Sequence, residues 1–388
     1  MHNRLLNLSN LLKIRSFFLF GPRGTGKSSL IETQLPNAKV YDLLNPDTYQ
    51  RLLRQPSLIS QETQANTWTV IDEIQKMPLL LDEVHRLIFK RKQMFLLTGS
   101  SARKLRRRAA NLLASRAFQT ALFPLVSCEI VNFDLLLYLN TTGLPEFYGQ
   151  NLSQEFLKAY VGTYLKEEVH AEALTRNLAA FSRFLEMIAL TNGEEIQYSG
   201  LSSDTGIPAR TLEGYFGILD DTLLGFSVPP FLSTKKRKAI TRSKYFLFDI
   251  GVVNTLAHRG RIEFKSELFG KAFEHFIALE LRAWLSYNRV DAPLTYWRST
   301  SQFEVDFILG TIMALEIKGT DLVLEKHLKG IRALKEEGLI ETFYVISLDS
   351  EKRRTDDGIF IFPWSLFLDH LWKVHSLEDL QFSLLKVR

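Results

Sequence analysis

Gly21-Pro22-Arg23-Gly24-Thr25-Gly26-Lys27-Ser28 satisfies every fixed position of the phosphate-binding pattern G-x-x-x-x-G-K-[ST]. Its flanks agree. The apolar run Ile14 to Phe20, interrupted by Arg15 and Ser16, reads as a buried strand, and Ser28-Ser29-Leu30-Ile31 opens a helix. A glycine-rich turn between strand and helix aims backbone N–H groups at one point, where an anion can sit. Gly21, Gly24 and Gly26 let the chain curl and come close to that anion, with Pro22, Arg23, Thr25 and Ser29 completing the loop. Lys27 is expected to reach the β- and γ-phosphates, and the Ser28 hydroxyl to ligate magnesium.

Outward from the loop, Trp68-Thr69-Val70-Ile71-Asp72-Glu73 is an apolar strand closing on two carboxylates. Asp72 is placed to hold magnesium, directly or through Ser28 and water. Glu73 is placed to orient and deprotonate an attacking water. A third strand, Gln93 to Ser100, ends in small hydroxyl residues. In ATPases with additional strands, a polar residue here sits between the acidic pair and the γ-phosphate, a place open to Thr98 or Ser100. Ala38 to Leu44 and Ala117 to Leu125 supply two more strands. Strands alternating with helical stretches imply a parallel sheet covered on both faces.

The chain has 388 residues, 46% of them hydrophobic, which suits two to four domains with sizeable cores. Its single cysteine, Cys128, excludes an internal disulfide framework and points to a reducing compartment. Residues Met1 to Arg15 show no secretory signal, and no run of about 18 apolar residues occurs. A cytoplasmic protein with no membrane partner is expected. The net charge of +5 is a weak pointer to nucleic acid, since phosphate binding alone also recruits basic residues.

From Ser153 to Leu190 the apolar spacing is helical: Phe156, Leu157, Tyr160, Val161, Tyr164 and Leu165, then Leu178, Phe181, Phe184, Leu185, Ile188 and Ala189. Ser199 to Val228 reads as helix, turn at Gly206-Ile207-Pro208, second helix and wing strand, a winged-helix pattern. The second helix carries only Arg210 as a base. The run Lys235-Lys236-Arg237-Lys238, with Arg242 and Lys244 behind it, is better placed to track phosphates.

Beyond Gly260 comes one amphipathic helix, Leu268 to Leu285, bearing Glu274 and Glu280. Strand-like runs follow at Leu294–Trp297, Phe303–Leu309, Ile312–Ile317, Phe343–Leu348 and Ile359–Phe362, with a helix from Leu324 to Glu337 between the third and fourth. This order is that of the PD-(D/E)XK nuclease core. Glu316 and Lys318 stand two apart on one strand face, and Asp306 lies in the preceding strand. Asp306 and Glu316, with Glu274 or Glu304, can hold hard divalent cations through oxygen, and Lys318 can stabilise a pentacoordinate phosphate.

The phosphate loop, Val70-Ile71-Asp72-Glu73-Ile74-Gln75, Leu97-Thr98-Gly99-Ser100-Ser101, Phe123-Pro124-Leu125 and the later Gly143-Leu144-Pro145-Glu146-Phe147 together resemble a widespread bacterial and archaeal family of AAA-class ATPases. Members carry an uncharacterised C-terminal domain related to restriction endonucleases. The resemblance covers the whole chain. It implies an α/β fold with a P-loop AAA-type core over residues 1–135, a helical lid or linker over 136–190, a winged-helix module over 191–258 and a restriction-endonuclease-like domain over 259–388. Many relatives have a Gly-Arg pair before the last core strand, where this chain has Ser115-Arg116. Arg116 is thus the charge-neutralising candidate, with Arg103 and Arg106 as rivals, acting in cis or across a homo-oligomer interface. The expected activity is magnesium-dependent ATP hydrolysis coupled to a nuclease-like domain acting on DNA or RNA, with a second divalent metal site there. The alternative is an ATP-gated switch whose C-terminal domain is a non-catalytic interaction or oligomerisation module.

Overall fold

Five short strands at the amino end form one all-parallel sheet. They are β1 (Ser16–Phe20), β2 (Lys39–Asp42), β3 (Thr69–Asp72), β4 (Phe95–Gly99) and β5 (Ala117–Ala121), ordered β2-β3-β4-β1-β5. The computed structural model describes residues 2–13, 15–64, 67–100, 117–150, 153–164 and 177–386. Parallel neighbours require crossovers, and the helices Lys27–Gln34, Pro46–Arg54 and Leu80–Arg91 supply them. Phe18, Phe20, Ile71, Phe95 and Leu97 from the sheet pack with Leu80, Leu81, Val84 and Leu87 of the last of these helices.

The chain divides into two compact units. The first holds Met1–Leu125, Leu144–Glu146 and Gly217–Leu224, and the second holds Val126–Gly143, Phe147–Phe216 and Gly225–Arg388. In the second unit, helix Leu178–Leu190 buries Phe181, Phe184 and Leu185 as the aromatic spacing required. Helix Tyr198–Thr205 stops at Gly206, whose φ of 67° is left-handed and costs glycine little. Helix Ala209–Asp221 follows, its part up to Phe216 in this unit and burying Leu212, Tyr215 and Phe216. β6 (Gly225–Val228) then pairs antiparallel with β7 (Lys244–Leu247).

The carboxyl-terminal sheet has six strands: β8 (Leu294–Arg298), β9 (Glu304–Leu309), β10 (Met313–Lys318), β11 (Thr342–Ser347), β12 (Arg353–Arg354) and β13 (Phe360–Pro363). β8, β9 and β10 run antiparallel in succession, and β11 lies parallel to β10 after a helical crossover. The helix Glu267–Asn288 starts at Ser266, whose hydroxyl accepts the Phe269 N–H, and ends at left-handed Arg289. The expected helix from Leu324 to Glu337 is split into a 3₁₀ turn, Glu325–Leu328, and an α-helix, Lys329–Lys335. No helix among the described residues is long and apolar enough to cross a membrane.

Candidate functional site

The register of the amino-terminal sheet assembles the first site. Phe20 of β1 is opposite Gly99 of β4, and Ile71 of β3 is opposite Leu97 of β4. One step further along the β3–β4 ladder Asp72 reaches Thr98, and one step further along the β1–β4 ladder Gly21 reaches Ser100, so the loop and Asp72 flank the carboxyl end of β4. β4 thus separates the phosphate loop from the acidic strand and presents Thr98 between them. Gly24 and Gly26 have φ of 80° and 87°, and the helix begins at Lys27. A Cβ on Gly21 would stand 2.5 Å from the Leu122 carbonyl oxygen, so only glycine lets the loop leave the sheet here. Lys27 Nζ donates to the carbonyls of Gly21 at 2.7 Å and Pro22 at 3.1 Å. The Thr25 hydroxyl donates to Pro22 O at 2.8 Å. Ser28 is exposed, Ser29 partly so, and Arg23 exposed. These residues fit a triphosphate: a curled backbone, one ammonium inside the curl and a hydroxyl at its rim.

Thr98 Oγ1 donates to the Asp72 carboxylate and accepts the Glu73 N–H at 3.3 Å. Glu73 has a φ of 58°, in the left-handed region that non-glycine residues seldom adopt, which turns it out of the strand direction. Gln75 Nε2 donates to the Glu73 carboxylate and to Ser100 Oγ, the latter at 3.2 Å. Gly99 makes room for it, since a Cβ there would lie 2.4 Å from Gln75 Oε1. Gln75 and Arg4 are the contributors that sequence reasoning missed. Arg4 donates to Thr25 O at 3.1 Å and Phe123 O at 2.6 Å, tying the loop to the segment after β5. Pro145 of the Gly143–Phe147 stretch stands 3.7 Å from where a Cβ on Gly26 would be. Arg103, Arg106, Ser115 and Arg116 lie outside the described residues.

The second cluster lies at the adjoining ends of β9 and β10. Phe307 pairs with Leu315, so Asp306 sits beside Glu316 one step along the ladder. Asp306 Oδ2 accepts the Ile317 N–H at 2.7 Å. Glu316 Oε1 meets Lys318 Nζ at 2.5 Å, while its Oε2 is buried with no hydrogen-bond partner among the described residues. Burial, followed by the Asp306 charge, pushes the Glu316 carboxyl up to about 8.

Lys244 corrects the reading of the basic stretch. It is buried rather than part of a solvated wing, and its Nζ lies 2.9 Å from Glu274 Oε1 and 2.7 Å from Glu304 Oε1. Burial pulls its pKa down more than any other single effect. The Glu274, Asp306 and Glu304 charges together outweigh that and hold the ammonium well above the ordinary lysine range. The physical reason is strand membership: Lys244 opens β7, whose apolar residues carry it inside. The neighbouring bases are also committed. Arg237 donates to Ala333 O at 3.0 Å and Glu336 Oε2 at 2.5 Å, and Arg242 faces Glu195 at 3.6 Å. The N–H groups of Lys235 and Lys236 donate to Glu337 at 2.7 and 2.6 Å, leaving the Lys235, Lys236 and Lys238 side chains exposed. The expected second metal set is not shown. Glu274 faces an ammonium, and no group of three or more His, Cys, Asp or Glu among the described residues is disposed to hold a metal. A cavity of about 350 Å³ lined by Glu194, Glu195, Lys271 and Arg298 reaches Lys244, Glu274 and Glu304.

Residues 13–131 match the family described as an AAA domain. Residues 132–263 and 269–367 match two domains of unknown function, DUF8612 and DUF4143. The chain is 26% identical over 266 residues to an uncharacterized protein of Methanocaldococcus jannaschii, covering 61% of this chain and 57% of that protein. It therefore spans little more than half the length of this curated relative. Among solved structures it is similar to the Aeropyrum pernix ORC1 protein in complex with DNA, at 12% identity, covering 66% of this chain and 93% of that one, with a TM-score of 0.25. It is also similar to the Thermotoga maritima RuvB Holliday junction branch migration motor, at 17% identity, 58% and 87% coverage and a TM-score of 0.27. At these scores neither likeness bears on the assignment. The family match and the observed strand order make the amino-terminal region a P-loop AAA-type α/β fold.

Proposed function

We propose that this protein binds ATP at the Gly21–Ser28 loop and hydrolyses it with Glu73 as general base. The observation that carries the reading is that the loop and Asp72 lie on the strands flanking β4, with Thr98 of β4 bound to Asp72 and Lys27 inside the loop. The loop amides and the Lys27 ammonium bind the β- and γ-phosphates. Magnesium, when bound with the nucleotide, neutralises phosphate charge, and Ser28 and Asp72 are the residues that would hold it. Thr98 fixes the Asp72 carboxylate and the Glu73 backbone, and Gln75 fixes the Glu73 side chain. Glu73 then takes the proton of the attacking water. Arg116, or Arg103 or Arg106, neutralises the developing charge in this reading.

Glu73→Gln is expected to keep ATP binding while turnover falls by about 10²- to 10⁴-fold, the usual worth of a general base. Lys27→Ala is expected to lose tight ATP binding in calorimetry. Unchanged turnover in Glu73→Gln removes Glu73 from its role.

We further propose the four-part division at about residues 135, 190 and 258, in which β6, β7 and the two preceding helices form a winged-helix module. For the last part, the antiparallel β8-β9-β10 set, the parallel β11 and the approach of Asp306 to Glu316 and Lys318 favour a nuclease-like domain. Exposed Lys235, Lys236 and Lys238 offer phosphate contacts to DNA or RNA, and self-assembly of the ATPase domains remains part of this reading. Metal-dependent cutting that Asp306→Ala and Lys318→Ala abolish, with ATPase turnover intact, is the expected result under this reading. The alternative, an ATP-gated switch with a non-catalytic C-terminal module, is favoured by the Lys244 contacts.

A further inference from the structure

The metal that a nuclease-like topology implies has a rival already in place. Lys244 is 4% exposed. Its ammonium stands 2.7 Å from Glu304 Oε1, 2.9 Å from Glu274 Oε1 and 3.8 Å from Asp306 Oδ1. Nζ also lies 5.3 Å from the centroid of the Tyr296 ring, whose face favours a cation. The backbone fixes the side chain's origin: Lys244 pairs with Val228 of β6 on one side and bridges Glu195 on the other. Two neighbouring oxygens are engaged as well, Asp306 Oδ2 by the Ile317 amide and Glu316 Oε1 by Lys318, while Glu316 Oε2 has no hydrogen-bond partner among the described residues. A hard divalent cation needs about six oxygen ligands at roughly 2.0–2.6 Å. Placed among these carboxylates it would sit within a few ångströms of a buried ammonium, where like charges repel strongly.

We infer that Lys244 is the resident cation of the Glu274–Glu304–Asp306 cluster, so that the carboxyl-terminal domain in this arrangement takes up no divalent metal. The inference is independent of ATP hydrolysis by the amino-terminal domain. It sides with the non-catalytic reading of the carboxyl-terminal domain.

The probe is Mn²⁺, followed by electron paramagnetic resonance on the nucleotide-free full chain carrying Lys27→Ala, so that nucleotide cannot recruit metal. With Lys244 present, no bound Mn²⁺ that Asp306→Asn abolishes is expected up to millimolar concentration; a bound ion lost in Asp306→Asn overturns the inference. Lys244→Met leaves three carboxylates converging on one point without their central ammonium, with Arg298 Nε at 3.7 Å from Glu304 Oε2 at the edge of the cluster. This variant is expected to bind one Mn²⁺ per chain at least tenfold more tightly than its parent, and to melt higher with Mn²⁺ than without. A folded Lys244→Met chain that gains no Mn²⁺ overturns the inference too. A variant that folds only when Mn²⁺ is supplied supports it. Should the variant fail to fold in either condition, the parent measurement decides alone. ATP turnover of chains with Lys27 intact, measured in parallel, reports on the nucleotide site and is unmoved by either result.

Discussion

Glu280 shows how a single buried carboxyl can set a pH dependence without any role in chemistry. Its Oε1 accepts the Ser127 N–H at 2.6 Å, and its Oε2 faces the Ser127 hydroxyl at 3.0 Å and the Trp372 indole N–H at 2.6 Å. Burial pushes its pKa from 4.5 up to about 7, the nearby Glu129 charge adds to this, and the Ser127 amide opposes it. The folded chain therefore keeps the Glu280 proton over a range in which the unfolded chain has lost it. Its contribution to stability is complete below about pH 4.5 and is lost as pH rises through about 7. Glu280→Gln is expected to remove that part of the slope from a melting-temperature profile. It is also expected to cost about 1–3 kcal/mol, because a buried donor loses its acceptor. A protonated carboxyl still accepts at both oxygens, so it can satisfy Ser127 N–H and Trp372 N–H together. A glutamine presents one oxygen and one NH₂ and cannot. A Glu280→Gln chain with the parent's pH profile would show that the slope arises elsewhere.

At the scale of elements, two glycines give the same substitution opposite signs. Gly330, in helix Lys329–Lys335, is so close to β9 that a Cβ would meet the Glu304 carbonyl oxygen at 2.0 Å. Gly214, in helix Ala209–Asp221, has nothing within 4 Å of such a Cβ. Gly214→Ala is expected to stabilise by up to about 1 kcal/mol through helix propensity. Gly330→Ala is expected to destabilise by about 1–3 kcal/mol, since the overlapping atom is backbone and the helix must lift from the sheet. Denaturant midpoints decide both, and a neutral Gly330→Ala would mean that the helix has room to move. Elements of this kind were largely legible in the sequence. β1, β3, β4 and β8 to β11 fall within a residue or two of the apolar runs that announced them, because turn residues bound each run. The candidate nucleotide site was legible for the same reason: its loop is contiguous, and its acids end a recognisable strand. Lys244 was not. The charge run from Lys235 invites a solvated reading, and the carboxylates that receive the ammonium stand far along the chain, on a helix and on β9. The one local signal was its position at the head of the apolar run Tyr245-Phe246-Leu247-Phe248. Gln75 was equally hidden, since its service to Glu73 depends on the absence of a side chain at Gly99.

For the whole molecule, the path of the chain matters more than the boundaries of the family matches. The AAA match ends at residue 131, yet the amino-terminal unit also contains Leu144–Glu146 and Gly217–Leu224. These later pieces contribute packing. Leu223, held at a φ of 60°, packs against the core that contains Ile71 and Leu97, and Pro145 lies beside the phosphate-loop glycine Gly26. Neither unit is a single stretch of sequence, so no one cut releases an intact amino-terminal unit. A fragment of residues 1–131 retains every residue that the sequence pattern assigns to phosphate binding, but it lacks the Pro145 and Leu223 contacts. Removing a large apolar side chain from a packed site costs about 2–5 kcal/mol when the site is fully buried. Leu223 is only partly buried, so the lower part of that range applies, with a further loss where Pro145 no longer steadies the loop. The fragment is therefore expected to melt below the complete chain. It is also expected to bind ATP several-fold more weakly, because the loop must be ordered at the expense of binding energy. Calorimetry and thermal unfolding, run side by side on both, measure the two quantities. Supplying Pro145→Ala and Leu223→Ala in the complete chain should reproduce part of each deficit. If the fragment instead equals the complete chain in both melting point and affinity, the later segments are passengers on a self-sufficient AAA domain.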